Sequence, residues 1–119
     1  MRVFAPILLA AAAFAAPGSA LGADASGKYS IRGAGTIACS AYIKATPAQK
    51  QFAETWWAGY LTAMNRSTAQ TYEVLGDWSV EQANAWLLTY CTQNPDAKLA
   101  VAVHKMLEAA YPTRKQSSE

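Results

Sequence analysis

The side chains capable of chemistry are few in this chain and lie far apart along it. Cys39 and Cys91 are its two cysteines, and His104 is its one histidine. On a helix, His104 would share a face with Ala100 and Glu108 and not with either cysteine. The acidic residues are scattered, and the chain has no metal-ligand spacing, phosphate-binding glycine loop or serine nucleophile motif. We therefore predict that the protein is not an enzyme and has no catalytic residue, no metal site and no cofactor.

The first 23 residues have the layout of a secretory signal peptide. A basic start at Arg2 is followed by 14 uninterrupted apolar residues, 3–16, and then by small residues. This apolar run is shorter than the roughly 20 residues that a membrane-spanning helix needs. We predict cleavage after Ala20 or Ala23, secretion and no membrane span in the mature chain.

Export would place both cysteines in an oxidising compartment, where two thiols most simply form one disulfide. A bond between Cys39 and Cys91 would enclose the 51 residues between them. It would stabilise the fold by about 4 kcal/mol in the chain-entropy account. A redox or nucleophilic cysteine is the alternative, but neither a C-x-x-C spacing nor a neighbouring histidine supports it. We therefore predict a structural disulfide.

The composition indicates one small globular domain. The chain has 119 residues, of which 52% are hydrophobic and 15% are charged, as in folded rather than disordered proteins. Its formal net charge is +2, and its basic residues are scattered singly apart from Arg114-Lys115. Nucleic-acid-binding modules concentrate Lys and Arg on one face, so we predict no nucleic-acid partner.

Three segments carry the start signals of helices. Thr46-Pro47-Ala48-Gln49 and Ser79-Val80-Glu81-Gln82 are capping-box patterns, and Asn94-Pro95-Asp96 predicts the start of a third helix. We predict an all-α fold, a small single-domain bundle of three main helices with a short helix around residues 39–44, tied by one disulfide. The predicted segments of the mature chain are a flexible lead-in at 24–36, the domain at 37–112 and a polar tail at 113–119.

The apolar positions of these helices predict which faces are buried. They recur at Phe52, Trp56, Tyr60 and Met64 in the first helix, at Ala83, Trp86, Leu87 and Tyr90 in the second, and at Leu99, Ala102, Val103, Met106, Leu107 and Ala110 in the third. Trp57 and Leu61 widen the stripe of the first helix, so we expect this helix to pack on more than one neighbour. Gly59 lies in the middle of the first helix, where it costs about 1 kcal/mol relative to Ala. We expect a close crossing by another helix at this glycine, with a ligand notch as the alternative.

Aromatic residues are frequent, with four tryptophans and six tyrosines. Large aromatic side chains usually fill the core of a small domain, whereas an exposed group of them marks an interaction surface. Adjacent helical residues point about 100° apart, so Trp56 and Trp57 cannot face the same neighbour. We expect the tryptophans in general to fill the core, with Trp57 and Trp78 as the candidates for surface positions. Together with Tyr72, these two are the candidates for binding a client or partner protein.

Three segments resemble the HdeA/HdeB group of small periplasmic proteins. They are Cys39-Ser40-Ala41-Tyr42, Trp57-Ala58-Gly59-Tyr60-Leu61 and Tyr90-Cys91-Thr92-Gln93-Asn94-Pro95, and the similarity extends over residues 34–111. The resemblance implies a small helical fold with one disulfide, between Cys39 and Cys91. It also implies an acid-stress chaperone, dimeric at neutral pH, that loosens in acid and holds unfolding periplasmic proteins on a diffuse apolar surface.

The charge balance is compatible with such behaviour. After removal of residues 1–23, nine basic and eight acidic side chains remain. In strong acid the net charge would rise from about +1 to about +11 at reference pKa values. Self-repulsion would loosen the packing, while the disulfide would keep the opened chain compact. We therefore expect exposure of apolar helix faces between about pH 2 and 5.

A second hypothesis is a periplasmic immunity protein that blocks a secreted toxin, such as a type VI secretion amidase. Gly59-Tyr60 in one helix and Asn94-Pro95 at the start of the last are similar in such proteins. An immunity protein would be rigid, would use residues 65–78 as a protruding loop and would bind one partner tightly at neutral pH. A structural protein of the cell envelope is a third hypothesis.

Overall fold

A computed structural model of the protein describes residues 22–119, which divide into two units between Ser30 and Ile31. The larger unit contains four α-helices and two 3-10 helices. The α-helices are α1 (Cys39–Ile43), α2 (Pro47–Ser67), α3 (Val80–Gln93) and α4 (Leu99–Ala110), and the 3-10 helices are Gly33–Thr36 and Tyr111–Thr113. Residues 22–119 form two isolated bridges but no β-strand. The predicted all-α fold of three main helices, a short first helix and one disulfide is confirmed.

The described part of the smaller unit, residues 22–30, forms a turn around Asp24. Asp24 Oδ1 accepts hydrogen bonds from the backbone N–H groups of Ser26 and Lys28, both at 2.9 Å, and from the Ser26 hydroxyl. These bonds hold the pKa of Asp24 below its ordinary value, and the bond from the Lys28 backbone has the largest effect. The predicted signal peptide, residues 1–23, lies almost entirely outside the described residues and stays a prediction.

Both predicted capping boxes are confirmed. At α2, the Gln49 N–H donates to Thr46 Oγ1 at 3.3 Å, and the Thr46 N–H donates to the Gln49 side chain at 2.9 Å. At α3, the same reciprocal bonds join Ser79 and Gln82 at 3.1 and 2.8 Å. Each pair satisfies two backbone donors that have no partner within the helix, so local sequence determines where α2 and α3 begin.

The predicted start of the last helix at Asn94-Pro95-Asp96 is wrong. Asn94 ends α3, with its N–H and its side-chain amide both donating to the Tyr90 carbonyl, and α4 begins only at Leu99. Residues 95, 97 and 99 form backbone hydrogen bonds with residues 40, 39 and 37 instead. Because these long-range bonds occupy groups that a helix would use, they outweigh the local helix-start signal of the proline.

The buried face of α4 forms the centre of the core. All six apolar positions predicted for this helix are buried, and α4 packs against α1, α3 and both 3-10 helices. In α3 the fully buried residues are Ala83, Leu87 and Cys91, whereas the predicted core residues Trp86 and Tyr90 are half-buried. The Cys39–Cys91 disulfide, with a Cα–Cα distance of 4.7 Å, ties α1 to α3 beside this core.

In the predicted apolar stripe of α2, Phe52 is wrong, whereas Trp56, Tyr60 and Met64 are partly buried against the core. Ala53, Trp57 and Leu61 are buried, while Phe52 is 70% exposed. Trp56 is half-buried because it packs under the first 3-10 helix, where its indole N–H donates to the Arg32 carbonyl at 2.8 Å. Both stripes are apolar and lie about 100° apart, so periodicity alone does not decide between them.

Gly59 is not at a helix crossing. It is exposed in the middle of α2, and a Cβ added there would meet nothing within 4 Å among the described residues. The prediction of a close crossing is therefore wrong. The glycines that do allow a close contact with α2 lie earlier in the chain, where Gly33 and Gly35 pack directly against the Trp56 ring. These residues belong to the predicted flexible lead-in, yet Ala34 and Gly35 are buried against α2 and α4.

Candidate functional site

The three predicted binding residues differ in exposure. Trp57 is only 3% exposed, so the prediction that it lies at the surface is wrong. Its indole N–H is buried without a hydrogen-bond partner among residues 22–119. Trp78 is half-buried against the core, and Tyr72 is 57% exposed. Tyr72 and part of Trp78 are therefore accessible to a partner in the closed structure, and Trp57 is not.

Trp78 lies beside Trp86 in a surface groove along α3. The groove has a volume of about 500 Å³, and its lining residues are Trp78, Gln82, Ala85, Trp86 and Thr89. The Trp86 ring stacks on the Tyr90 ring, with centroids 5.4 Å apart and planes 10° from parallel. Aromatic rings of this kind supply large contact areas for apolar segments of another protein. The Trp78 groove is therefore one candidate binding surface.

Tyr72 belongs to an irregular loop, residues 68–79, that side-chain hydrogen bonds hold against α2. Asn65 Oδ1 accepts from the Val74 N–H at 2.8 Å, and Asn65 Nδ2 donates to Glu73 Oε2 at 3.3 Å. Glu73 Oε1 accepts from the Leu75 N–H at 3.1 Å. These bonds place the Val74 and Leu75 side chains in the core, where they are 2% and 6% exposed.

The predicted polar tail pairs with this loop. The Tyr72 N–H donates to the Lys115 carbonyl at 2.8 Å, and the Lys115 N–H donates to the Glu73 carbonyl at 3.0 Å. Lys115 Nζ also lies 2.9 Å from Asp77 Oδ1. The hydrogen bond with this carboxylate raises the pKa of Lys115 above its ordinary value. Lys115 in the tail therefore helps to hold the loop in place.

Two further contacts fix the tail against the loop. Gly76 has a φ of +62°, and a Cβ at this position would overlap the Thr113 carbonyl. Arg114 Nε donates to Thr71 Oγ1 at 3.0 Å, and the Arg114 guanidinium lies 3.9 Å from the centre of the Tyr111 ring. The positive φ and the close approach together require glycine at this point of the loop.

Three carboxylates join separate elements of the fold. Glu54 on α2 accepts from Asn84 Nδ2 on α3 at 3.0 Å. Glu73 joins the loop to Asn65 on α2, and Asp77 joins it to Lys115 in the tail. The sequence does not predict this arrangement, because the partners are separated by up to 38 residues and no local motif links them.

His104 joins α2 to α4. Its Nδ1 lies 3.1 Å from the Tyr60 hydroxyl, and its Nε2 lies 3.4 Å from Glu108 Oε1. Glu108 also forms an ion pair with Lys105 at 3.2 Å. Within residues 22–119, no cluster of three or more His, Cys, Asp or Glu side chains is arranged to hold a metal ion.

A second, apolar groove was not predicted from the sequence. It has a volume of about 560 Å³ and lies between the first 3-10 helix, α1 and the beginning of α2. Its lining residues are Gly33, Ala34, Ile37, Ala41, Ala45, Ala48, Gln49, Phe52 and Ala53. We call it the Phe52 groove. A signal was present in the sequence, since alanines are frequent from 34 to 53, but small residues are equally common in tightly packed helices.

None of the helices formed by residues 22–119 combines the length and apolarity needed to cross a membrane. Comparisons of the chain with protein-family models, curated protein sequences and solved structures found no match.

Proposed function

We propose that the protein is a periplasmic acid-stress chaperone of the HdeA/HdeB kind, which exposes apolar helix faces at low pH and holds unfolding proteins on them. The observation that carries this proposal is that Glu54, Glu73 and Asp77 each join two separate elements. Ordinary carboxyl groups are protonated at about pH 2. Hydrogen bonds to a charged group are roughly twice as strong as neutral ones, so neutralising these side chains would weaken the three junctions.

The opening would begin at the loop of residues 68–79. Neutralising Asp77 removes its ion pair with Lys115, and neutralising Glu73 weakens the bonds that hold Val74 and Leu75 in the core. Neutralising Glu54 would weaken the junction between α2, which carries the buried Trp57, and α3. Added positive charge acts in the same direction through self-repulsion.

The disulfide limits how far the chain opens. Cys39 and Cys91 connect α1 to α3, and this covalent bond does not depend on the protonation of carboxylates. The opened chain would therefore keep its aromatic residues close together. Phe52 and Tyr72 are already 70% and 57% exposed in the closed structure, and the buried face of α2 would add to them.

The test is the aggregation of an acid-unfolded client enzyme, followed by light scattering at pH 2–5 and at pH 7. We expect the oxidised protein to suppress aggregation at low pH and not at pH 7. The double variant Glu54→Gln, Glu73→Gln should be active at a higher pH than the wild type. Glu81→Gln is the matched control, because Glu81 is exposed in the first turn of α3. An absence of suppression throughout pH 2–5 would overturn the proposal.

A second candidate is an immunity protein that blocks a secreted toxin. The observation that favours it is the bracing of the loop by Asn65, Glu73 and residues 113–115, because a preformed loop binds a partner with little ordering cost. An immunity protein would capture one toxin at pH 7, and Tyr72→Ala would weaken that complex. It would also remain closed and inactive as a chaperone down to pH 2, which separates the two candidates.

A further inference from the structure

The Phe52 groove has the size and lining of a site for a small apolar ligand. Its volume of about 560 Å³ falls within the usual range of small-molecule pockets, about 300–1,000 Å³. Three alanines, Ala41, Ala45 and Ala48, keep the groove open because their side chains are short. Phe52 lines it as a large apolar side chain that is 70% exposed to solvent.

The walls of the groove are held in place independently of any ligand. The first 3-10 helix lies on the Trp56 ring, and the Trp56 indole N–H donates to the Arg32 carbonyl at 2.8 Å. The opposite wall belongs to α1, which the Cys39–Cys91 disulfide ties to α3. A groove formed in advance lowers the ordering cost of binding.

Three basic residues are neighbours in the sequence of residues that line the groove. Arg32, Lys44 and Lys50 are each next to a lining residue in the sequence, namely Gly33, Ala45 and Gln49. Residues 31–53 contain no Asp or Glu. None of the three basic side chains forms an ion pair with any residue in the range 22–119.

The nearest acidic side chain along the chain is engaged elsewhere. Glu54 follows the lining residue Ala53, but its carboxylate accepts a hydrogen bond from Asn84 on α3. An apolar groove whose lining residues are flanked in the chain by unpaired basic residues complements a ligand that has an apolar body and one anionic end.

We infer that the Phe52 groove binds a single-chain amphipathic anion, a fatty carboxylate whose acyl chain lies in the groove and whose carboxylate faces Arg32, Lys44 and Lys50. The volume of the groove sets the size of the ligand. A methylene group is comparable to a water molecule, whose share of liquid volume is about 30 Å³. A groove of about 560 Å³ therefore accommodates one chain of twelve carbons but not two such chains.

The test is a titration of the oxidised protein with dodecanoate below its micelle concentration, followed by calorimetry and by tryptophan fluorescence. Dodecyltrimethylammonium is the control ligand, with the same chain and the opposite charge. We expect dodecanoate to bind at least tenfold more tightly than the cation. The double variant Lys44→Glu, Lys50→Glu should reduce this preference severalfold, whereas Arg66→Glu, at the far end of α2, should leave it unchanged.

A second pair of variants tests the location. Ala48→Leu fills the groove and should weaken dodecanoate binding at least tenfold, whereas Ala58→Leu, on an exposed part of α2 that lines no groove, should not change it. Equal binding of the anion and the cation, or equal effects of the two leucine variants, would overturn the inference. So would dimerisation that Ala48→Leu abolishes while dodecanoate has no effect, because the groove would then be occupied by a second copy of the chain.

Discussion

Trp57 and Tyr72 are both aromatic candidates for binding, but burial gives them different roles. Trp57 is 3% exposed in the face that α2 turns to the core, whereas Tyr72 is 57% exposed on the loop. Loss of a buried indole removes apolar contacts and leaves a cavity. Loss of an exposed phenol removes little that folding depends on.

We predict that Trp57→Ala lowers the free energy of unfolding by about 3–5 kcal/mol, and that Tyr72→Ala changes it by at most about 0.5 kcal/mol. Urea denaturation at pH 7, followed by circular dichroism, measures both values. The backbone bond from Tyr72 to Lys115 remains in the second variant, so the tail stays in place. Comparable losses in the two variants would contradict the assigned positions.

Tyr42 provides a pH-dependent test of the core at alkaline pH. Burial, and secondly the nearby Glu54 carboxylate, raises the pKa of Tyr42 above its ordinary 10.0. The folded protein therefore binds this proton more tightly than the unfolded chain, so the free energy of unfolding falls as the pH rises above 10. We predict a smaller fall in Tyr42→Phe than in the wild type between about pH 9 and 11. Equal falls in chemical denaturation experiments would show that Tyr42 does not contribute.

Among the elements, helix starts follow from local sequence where a cap is available. The reciprocal bonds of Thr46 with Gln49 and of Ser79 with Gln82 form within four residues, so their patterns were sufficient to predict the starts of α2 and α3. The start of α4 depends instead on backbone hydrogen bonds between residues 37–40 and 95–99. Such pairings join distant parts of the chain, and no local pattern reports them.

The candidate surfaces were harder to predict than the helices for the same reason. The choice between Phe52 and Ala53 as the buried position of α2 depends on which neighbours cover the helix. The bracing of the loop by the tail depends on pairing of Glu73 with Lys115, 42 residues apart. The disulfide was predictable because only one pairing of two cysteines exists.

Two glycines test the contrast between the loop and α2. Gly76 has a φ of +62° and lies against the Thr113 carbonyl, whereas Gly59 is helical with open space around it. We predict that Gly76→Ala lowers the free energy of unfolding by about 1–3 kcal/mol and that Gly59→Ala raises it by about 0.5–1 kcal/mol. Thermal and urea denaturation of both variants measure these effects, and a stabilising Gly76→Ala would contradict the tail–loop contact.

The disulfide between α1 and α3 closes a long loop, with a sequence separation of 52 residues. We predict that the double variant Cys39→Ser, Cys91→Ser loses about 4 kcal/mol of unfolding free energy, because its unfolded chain is less constrained. Urea denaturation of this variant and of the chemically reduced wild type should agree. A loss below about 1 kcal/mol would mean that the bond contributes little to the constraint of the opened chain.

Over the whole molecule, the proposed function depends on a balance between opening and retention. Glu54, Glu73 and Asp77 join separate elements through bonds that we expect acid to weaken, whereas the disulfide joins α1 to α3 covalently. The fold would loosen first where the carboxylates act, at the loop and between α2 and α3. The chaperone proposal therefore depends on these three side chains more than on the total charge.

The most direct measurement is the pH midpoint at which the protein binds a dye specific for apolar surface. It compares the oxidised wild type with the triple variant Glu54→Gln, Glu73→Gln, Asp77→Asn. The control is Glu81→Gln, Asp96→Asn, which changes two exposed carboxylates that join no elements within residues 22–119. We predict reversible exposure in acid for the wild type and the control, and a midpoint at least one pH unit higher for the triple variant. A wild type that remains closed to pH 2, or a triple variant with the same midpoint as the control, would contradict the account.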